Sequence, residues 1–361
     1  MNGTIQKAIG REIKALFELK KTERLWHIPV LASLCVGIPL LAGLYFNKLN
    51  YGILACTGGL VILYLPSGTV ASRMITLISC SFGFMVSLAI SLCFSFNPIV
   101  SSIVLGLFAF GVHWIKHYFH MKPPGSFFFI MIASIGSCMK FDLEAIPTRV
   151  GLIGMGTMFA CILAFFYSLY ITRIYPPKEE ASVTPKKYMD VVESVIVGGF
   201  MALSLLVGHL FKLDFPYWLP ISCAAVMQGI TLQHVWQRSF QRILGTFIGL
   251  GLAWLFLQFH LTPLHICIAI LALQFIIEVL VVRHYALAVV FITPMTIFLA
   301  EASGALVRHP NELIVLRFWD ITLGSLIGAL GGWILYHEQL YYHASRQIRR
   351  TKYIFSRKKK K

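Results

Sequence analysis

Along the chain, long runs of apolar residues alternate with short polar connections. Before the first run, Ile5, Ile9, Ile13, Leu16 and Phe17 recur at helical spacing while Lys7, Arg11, Lys14, Lys20 and Lys21 fill other faces. This pattern predicts an amphipathic basic helix lying on a membrane surface over residues 1–26. Six apolar segments follow at about 28–46, 51–65, 74–94, 99–113, 125–138 and 150–170. A polar link over 173–190, containing Pro176, Pro177, Glu179, Glu180, Lys186 and Lys187, separates them from six more at about 191–211, 217–231, 244–259, 264–282, 286–300 and 318–335. The prediction is an all-α integral membrane protein of about twelve transmembrane helices, with a basic tail over 337–361.

Segments 2, 5, 8 and 11 are short, with only 14 or 15 apolar residues. As helices they reach about 22 Å against a hydrocarbon core of about 30 Å. Prolines mark them: Pro66 closes the second, Pro123 and Pro124 precede the fifth, Pro220 sits in the eighth and Thr293-Pro294 breaks the eleventh. Lipid cannot satisfy free backbone groups, so the ends of such elements must be covered by protein or a wet cavity. These four segments are the expected lining of a pathway, with tilted bundle helices extended by polar turns as the alternative.

Composition removes the soluble classes. Hydrophobic residues make up 57% of the 361 and charged residues 13%, about half the charged share of a soluble domain. The first segment is expected to act as its own targeting signal, since residues 1–26 do not have the layout of a cleaved leader. The net charge of +16 is concentrated at the chain ends and in particular connections. A cytoplasmic N-terminus places 25 of the 31 Lys and Arg inside, leaving Lys48, Lys140, Arg149, Lys212, Arg308 and Arg317 outside. The positive-inside rule then predicts two cytoplasmic termini in a cytoplasmic (inner) membrane, with anionic lipids rather than nucleic acid as partners of the basic ends. The eight cysteines form no C-x-x-C pair and read as reduced packing residues.

The two halves resemble each other at a spacing of about 166 to 169 residues. Glu144-Ala-Ile-Pro-Thr-Arg149 and Gly156 align on Glu312-Leu-Ile-Val-Leu-Arg317 and Gly324, Tyr51 matches Tyr217, and Arg73 falls near Arg242. Six spans per repeat predict two parallel halves, over 27–172 and 191–336, related by an axis along the membrane normal.

The second half carries a resemblance. Tyr217-Trp218-Leu219-Pro220, then Gln237-Arg238-Ser239-Phe240-Gln241-Arg242-Ile243-Leu244-Gly245-Thr246 and Gly249, resembles the motif of the fusaric acid resistance protein-like family, which includes the aromatic acid exporters. Arg317-Phe-Trp-Asp320-Ile-Thr-Leu-Gly324 looks like its closing motif, and Arg283-His284-Tyr285 also fits. The match covers 190–335 and is degraded in the first half, where Gly52 replaces Trp218 and Leu152 replaces Asp320. Many members carry large cytoplasmic domains that are not evident in this sequence. The family also resembles the plant aluminium-activated malate transporters, anion channels of two six-helix subunits that a fused 6+6 chain would mimic. The resemblance implies a transporter, and because no nucleophile, base and carboxylate set recurs at one membrane depth, no enzyme is expected.

Individual residues sharpen that expectation. Arg238 and Arg242, four apart beside Trp236, are expected at the cytoplasmic mouth, where a carboxylate would find bidentate donors and an aromatic ring a stacking plane, or where they serve as topology anchors. Arg149 and Arg317 are the repeat-related cations of the other side and would form an anion-attracting ring, unless Arg317 only pairs with Asp320. Glu278 is the acid deepest within an apolar run, and Asp320 is the second proton-coupling candidate; a salt bridge from Glu278 to Arg283 or Arg242, and helix-start capping by Asp320, are the structural alternatives. Glu193 and Glu301, at span ends, carry little weight. His113, His117 and His120 share a helix face, but without a carboxylate or cysteine in their loop they read as an interfacial belt, so no metal is expected. The glycines at 245, 249, 251, 324, 328, 331 and 332 read as close-packing positions, and no phosphate-binding G-x-x-x-x-G-K-[ST] occurs. The expected function is export of organic anions, aromatic or amphipathic carboxylates, collected at Trp236, Arg238 and Arg242 and passing Trp218, Thr293 and Pro294 to Arg149 and Arg317, with no cofactor and no ATP hydrolysis. A passive anion channel and a non-transporting membrane scaffold for envelope assembly remain open alternatives.

Overall fold

The computed structural model describes residues 24–175, 190–259, 262–302 and 310–337. The amphipathic helix expected over 1–26, most of the 173–190 link and the basic tail fall almost wholly outside these residues. Within them the chain is helical, without a strand: α1 (His27–Tyr45), α2 (Leu49–Gly59, prolonged by a 3₁₀ turn Leu60–Tyr64), α3 (Val70–Cys93), α4 (Pro98–Tyr118), α5 (Phe127–Ser137), α6 (Ala145–Ile174), α7 (Asp190–Leu210), α8 (Trp218–Met227), α9 (Leu232–Leu257), α10 (Pro263–Leu280), α11 (Tyr285–Ala302) and α12 (Pro310–Tyr336).

Local chemistry sets several of the starts. Asn97 caps α4 by accepting from Ile99 N and Val100 N, with Pro98 at the first helical position. Thr231 caps α9 at His234 N, and Thr262 forms a capping box with His265 ahead of Pro263 in α10. Along the helices, small hydroxyls return their protons to their own backbone: Ser81 to Leu77 O, Ser87 to Gly83 O, Ser134 to Ile130 O. These hydroxyl donors are thereby satisfied within their own helices.

Eight helices, α1, α3, α4, α6, α7, α9, α10 and α12, are long and apolar enough to cross a membrane; α2 with its extension, α5, α8 and α11 are the shorter apolar ones. These are the four segments that sequence length singled out. They occupy the interior: every residue of α8 from Leu219 to Met227 is buried, as are Phe129, Ile130, Ile132, Ala133 and Ser134 in α5. The long helices instead expose bulky apolar side chains, such as Ile75, Leu107, Phe166 and Trp333. Two starts differ from the sequence expectation. α9 begins at 232 rather than near 244, and α12 at 310 rather than near 318, because each helix carries its arginines into buried positions, Arg242 and Arg317, instead of waiting until the charges have passed.

The packing order is regular. α2 packs on α1 and α6, α3 on α5 and α6, and α4 on α7; correspondingly α8 packs on α7 and α12, α9 on α11 and α12, and α10 on α1. Two equivalent junctions, α4 on α7 and α10 on α1, therefore join the first six helices to the last six, beside contacts of α5 with α8 and of α2 with α11. At one, Gly106 and Gly198 let α4 and α7 approach backbone to backbone, a Cβ on either meeting the other's carbonyl within 2.8 Å. At the other, Ser33 Oγ donates to Leu271 O at 2.8 Å and Gly37 receives the Leu271 side chain. α8 and α12 run parallel, Gly324 on Leu219 and Ser222, Gly328 on Cys223. α9 and α12 run antiparallel, Ser239 Oγ donating to Ser325 O at 3.2 Å and Phe247 meeting Phe318. The eight cysteines are free and six of them are buried.

A side chain at Gly324 has no room, since its Cβ alone would lie 2.6 Å from Leu219 O, whereas at Gly251 nothing lies within 4 Å. Gly324→Leu is expected to destabilise the protein by about 1–3 kcal/mol, read as a lower Tm of detergent-solubilised protein, while Gly251→Leu leaves the Tm unchanged.

Candidate functional site

Three arginines of the second half, Arg238, Arg242 and Arg317, gather around α8. Arg242, on α9, is 5% exposed; its Nη1 donates to Tyr285 Oη at 3.0 Å and its Nη2 to Ser222 Oγ at 3.2 Å. One turn earlier, Arg238 donates from Nη1 to Ala225 O at 3.1 Å and to Gln228 Oε1 at 3.2 Å, and its guanidinium lies 4.8 Å from the centre of the Tyr285 ring. The i,i+4 spacing does place both on one face, directed at the C-terminal half of α8 and the start of α11.

Arg317 reaches the same helix at its other end. Its guanidinium stacks 3.8 Å from the Trp218 ring centre and 5.8 Å from that of Phe215, and Nη2 lies 3.5 Å from Thr296 O. It is 4% exposed and within electrostatic reach of Tyr217, Asp320 and Arg242. Asp320 is 1% exposed, and neither carboxylate oxygen has a hydrogen-bond partner. No carboxylate lies within 4.0 Å of Arg238, Arg242 or Arg317 among the described residues. Three guanidiniums are thus held by hydroxyls, carbonyls and aromatic faces, and the acid beside them is unpartnered. Cation–π stacking and neutral hydrogen bonds offset part of the desolvation of a guanidinium, but they do not cancel its charge.

Several expectations change in placement. Arg317 does not open its helix, because α12 starts at 310; for the same reason Asp320 lies three turns inside and cannot serve as a helix-start cap. The Arg317–Asp320 pairing does not form at ion-pair distance. Arg149 and Arg317 are not brought together: Arg149 is half-buried and donates to Lys140 O at 2.9 Å in its own half. Trp236 is 49% exposed, and two residues from Arg238 on a helix it faces the opposite side, away from the guanidiniums. Thr293 and Pro294 are buried in α11, where Thr293 donates to Val289 O. The proline leaves the Val290 carbonyl without its helical donor, and Gly249 of α9 packs against it.

Glu278 is paired, but with neither Arg283 nor Arg242. Arg24, just ahead of α1, places Nη2 2.9 Å from Glu278 Oε2 and Nη1 3.2 Å from the Glu278 backbone oxygen, while Gln274 donates to Oε1. Residues 254 apart in sequence meet because α10 packs on α1. Sequence reasoning also passed over Ser222, Gln228 and Phe215. Tyr285 was present in the Arg283-His284-Tyr285 motif, whose spacing gave no sign of a contact to both arginines.

Residues 202–331 match the family model described as Fusaric acid resistance protein-like. A stretch of 140 residues is 38% identical to the uncharacterized membrane protein YvaC of Bacillus subtilis (strain 168), covering 37% of this chain and 22% of that protein. The aligned region thus spans about a fifth of that relative's length. No solved structure matches the chain. The family match encloses the whole cluster around α8, from Trp218 to Asp320, and leaves Arg149 outside.

Removing Arg24 strands a carboxylate that is 4% exposed. Arg24→Ala is expected to lower stability by about 3 kcal/mol, seen as a lower Tm in detergent, and the double variant R24A/E278Q to recover most of the loss.

Proposed function

We propose that this membrane protein, whose second half is of the fusaric acid resistance-like family, moves organic anions across the cytoplasmic membrane without ATP hydrolysis of its own. The observation that carries this reading is the charge imbalance around α8. Arg238, Arg242 and Arg317 lie in or near the protein interior with neutral partners only. Buried cations without a counter-charge are costly inside a membrane and mark substrate pathways. A carboxylate supplies the missing charge, and the ring of an aromatic acid adds stacking on Tyr285 or Trp218. Asp320, buried and unpartnered, is the proposed proton-carrying group: neutral it tolerates the site, ionised it competes with the substrate for Arg317. Glu278, engaged by Arg24 and Gln274, is the weaker of the two proton candidates.

In this reading the chain is two parallel six-helix halves. The matched packing pairs, α2 on α6 with α8 on α12 and α4 on α7 with α10 on α1, support a pseudo-two-fold arrangement along the membrane normal. The first-half pathway residue Arg149 is a surface cation at the outer end, and Trp236 borders the inner one. The excess of Lys and Arg in the cytoplasmic assignment supports that orientation, with the basic ends held by anionic lipids. Substrate enters at Arg238 and Arg242, passes α8 and the Thr293-Pro294 break of α11, and leaves past Trp218 and Arg317.

The test is flux of an aromatic carboxylate such as benzoate in proteoliposomes. R238A/R242A is expected to reduce the rate at least about tenfold, the loss of one charge-assisted contact being worth about 1.5–3 kcal/mol; full flux in that variant would sink the proposal. D320N is expected to abolish accumulation driven by a pH gradient while preserving exchange of labelled for unlabelled substrate. Unitary currents that survive D320N would instead favour the channel.

A further inference from the structure

The α4–α7 junction ends in a cluster that the anion pathway does not use. His113 and His117 lie one turn apart near the C-terminal end of α4, and Glu193 lies in the first turn of α7. Three donor atoms converge: His113 Nε2 and His117 Nε2 are 3.0 Å apart, and Glu193 Oε1 is 3.2 Å from each. His120, past the helix end at φ +49°, does not join them.

Protons cannot satisfy this triangle. Each Nε2 carries one hydrogen at most, so at most two of the three edges are hydrogen bonds; if both rings are protonated there, two N–H groups face each other across 3.0 Å. A cation at the centre satisfies all three edges at once. Donors about 2.1 Å from a metal are separated by about 3.0 Å at right angles and about 3.4 Å in a tetrahedron. The observed edges, 3.0 and 3.2 Å, fall within this range, as for three donors on one side of a metal. Ser126 Oγ, 3.5 Å from His113 Nδ1, is placed to hold the tautomer that leaves Nε2 free to ligate. His113 is 5% exposed, while the side chains of His117 and Glu193 retain 23% and 28%, which provides an entry path from one side. Among the described residues, the other titratable groups that act on it are Lys116 on α4 and Tyr336 on α12; Lys116 opposes a cation by charge, and its stem packs toward Gly125.

We propose that His113, His117 and Glu193 form a binding site for a divalent first-row transition metal, which ties α4 to α7 where the first six helices meet the last six. Two imidazoles and one carboxylate suit Zn²⁺, Co²⁺, Ni²⁺ or Fe²⁺ and not the oxygen-seeking Mg²⁺ or Ca²⁺. The α1–α10 junction supplies the contrast, because there Arg24 and Glu278 close the corresponding end with an ion pair. The site is independent of the anion-transport reading.

Full-length protein, purified without a polyhistidine tag and stripped with chelator, is titrated with Co²⁺ and followed by visible d–d absorption. One equivalent per chain is expected, displaced by Zn²⁺ and not by Mg²⁺. H117A and E193Q are each expected to weaken binding by at least about tenfold, H120A to leave it unchanged, and Zn²⁺ to raise the Tm of the wild type but not of E193Q. E193Q retains the shape and hydrogen-bonding capacity of the side chain, so its monodisperse elution separates lost ligation from misfolding. Absence of saturable Co²⁺ binding, or binding that persists in both H117A and E193Q, overturns the proposal and leaves the cluster a polar clamp between the helices.

Discussion

Hydrocarbon offers no partner to a backbone N–H or C=O, and the arrangement of this protein follows from that constraint. A helix such as α8, Trp218–Met227, is about 15 Å long, cannot cross alone and must place at least one end within the depth of the bilayer. It is stable only where protein encloses the end that lies within the hydrocarbon. The long helices therefore form the outside and α2, α5, α8 and α11 the inside, and the glycines at the interface follow from the same demand. Gly324 and Gly328 let the α12 backbone lie against α8, so that the short helix is closely covered on that side. Gly249 does the same for the carbonyl that Pro294 leaves free in α11.

Enclosure also explains where the charges can be. The ends of a short interior helix present backbone carbonyls and small hydroxyls inside the protein, where buried side chains of its neighbours can use them. Arg238 uses the Ala225 carbonyl and Arg242 the Ser222 hydroxyl, both on α8, and Arg317 uses the ring that begins α8. The three guanidiniums thus converge from two long helices on the element that could not span by itself. Length, packing and electrostatics in the second half are therefore aspects of one arrangement.

Much of this was legible in the sequence because run length is a direct physical signal. The four short segments, the helical class and the facing pair Arg238 and Arg242 follow from counting apolar residues and from the 3.6-residue period. What escaped depends on contacts between segments remote in the chain. Glu278 was recognised as a buried acid, but its partner Arg24 lies 254 residues away. His113 and His117 were set aside for want of a carboxylate in their loop, and Glu193 was dismissed for its place at a span end, although α4 and α7 bring the three together. Helix starts were misplaced by the same cause: Arg242 and Arg317 looked like loop charges because nothing local to them reveals that a neighbouring helix buries them. Asp320 was assigned to a helix start for that reason, and the true start at 310 moves it deep into α12.

The hydrogen bond from Ser33 to the Leu271 backbone has a temporal meaning as well as a geometric one. These residues are 238 apart, so at about 5–20 residues per second synthesis runs for about 12 to 48 s between them. Throughout that interval the face of α1 that carries Ser33 and Gly37 waits in the bilayer without its permanent neighbour. The α4–α7 contact is completed far earlier, since its members are separated by only one short helix, one long helix and a connection. The two junctions are thus unequal in history even where they are alike in shape. The α1 face that meets α10 is among the last to be covered, and an interrupted chain leaves it as an open edge that marks the molecule as unfinished.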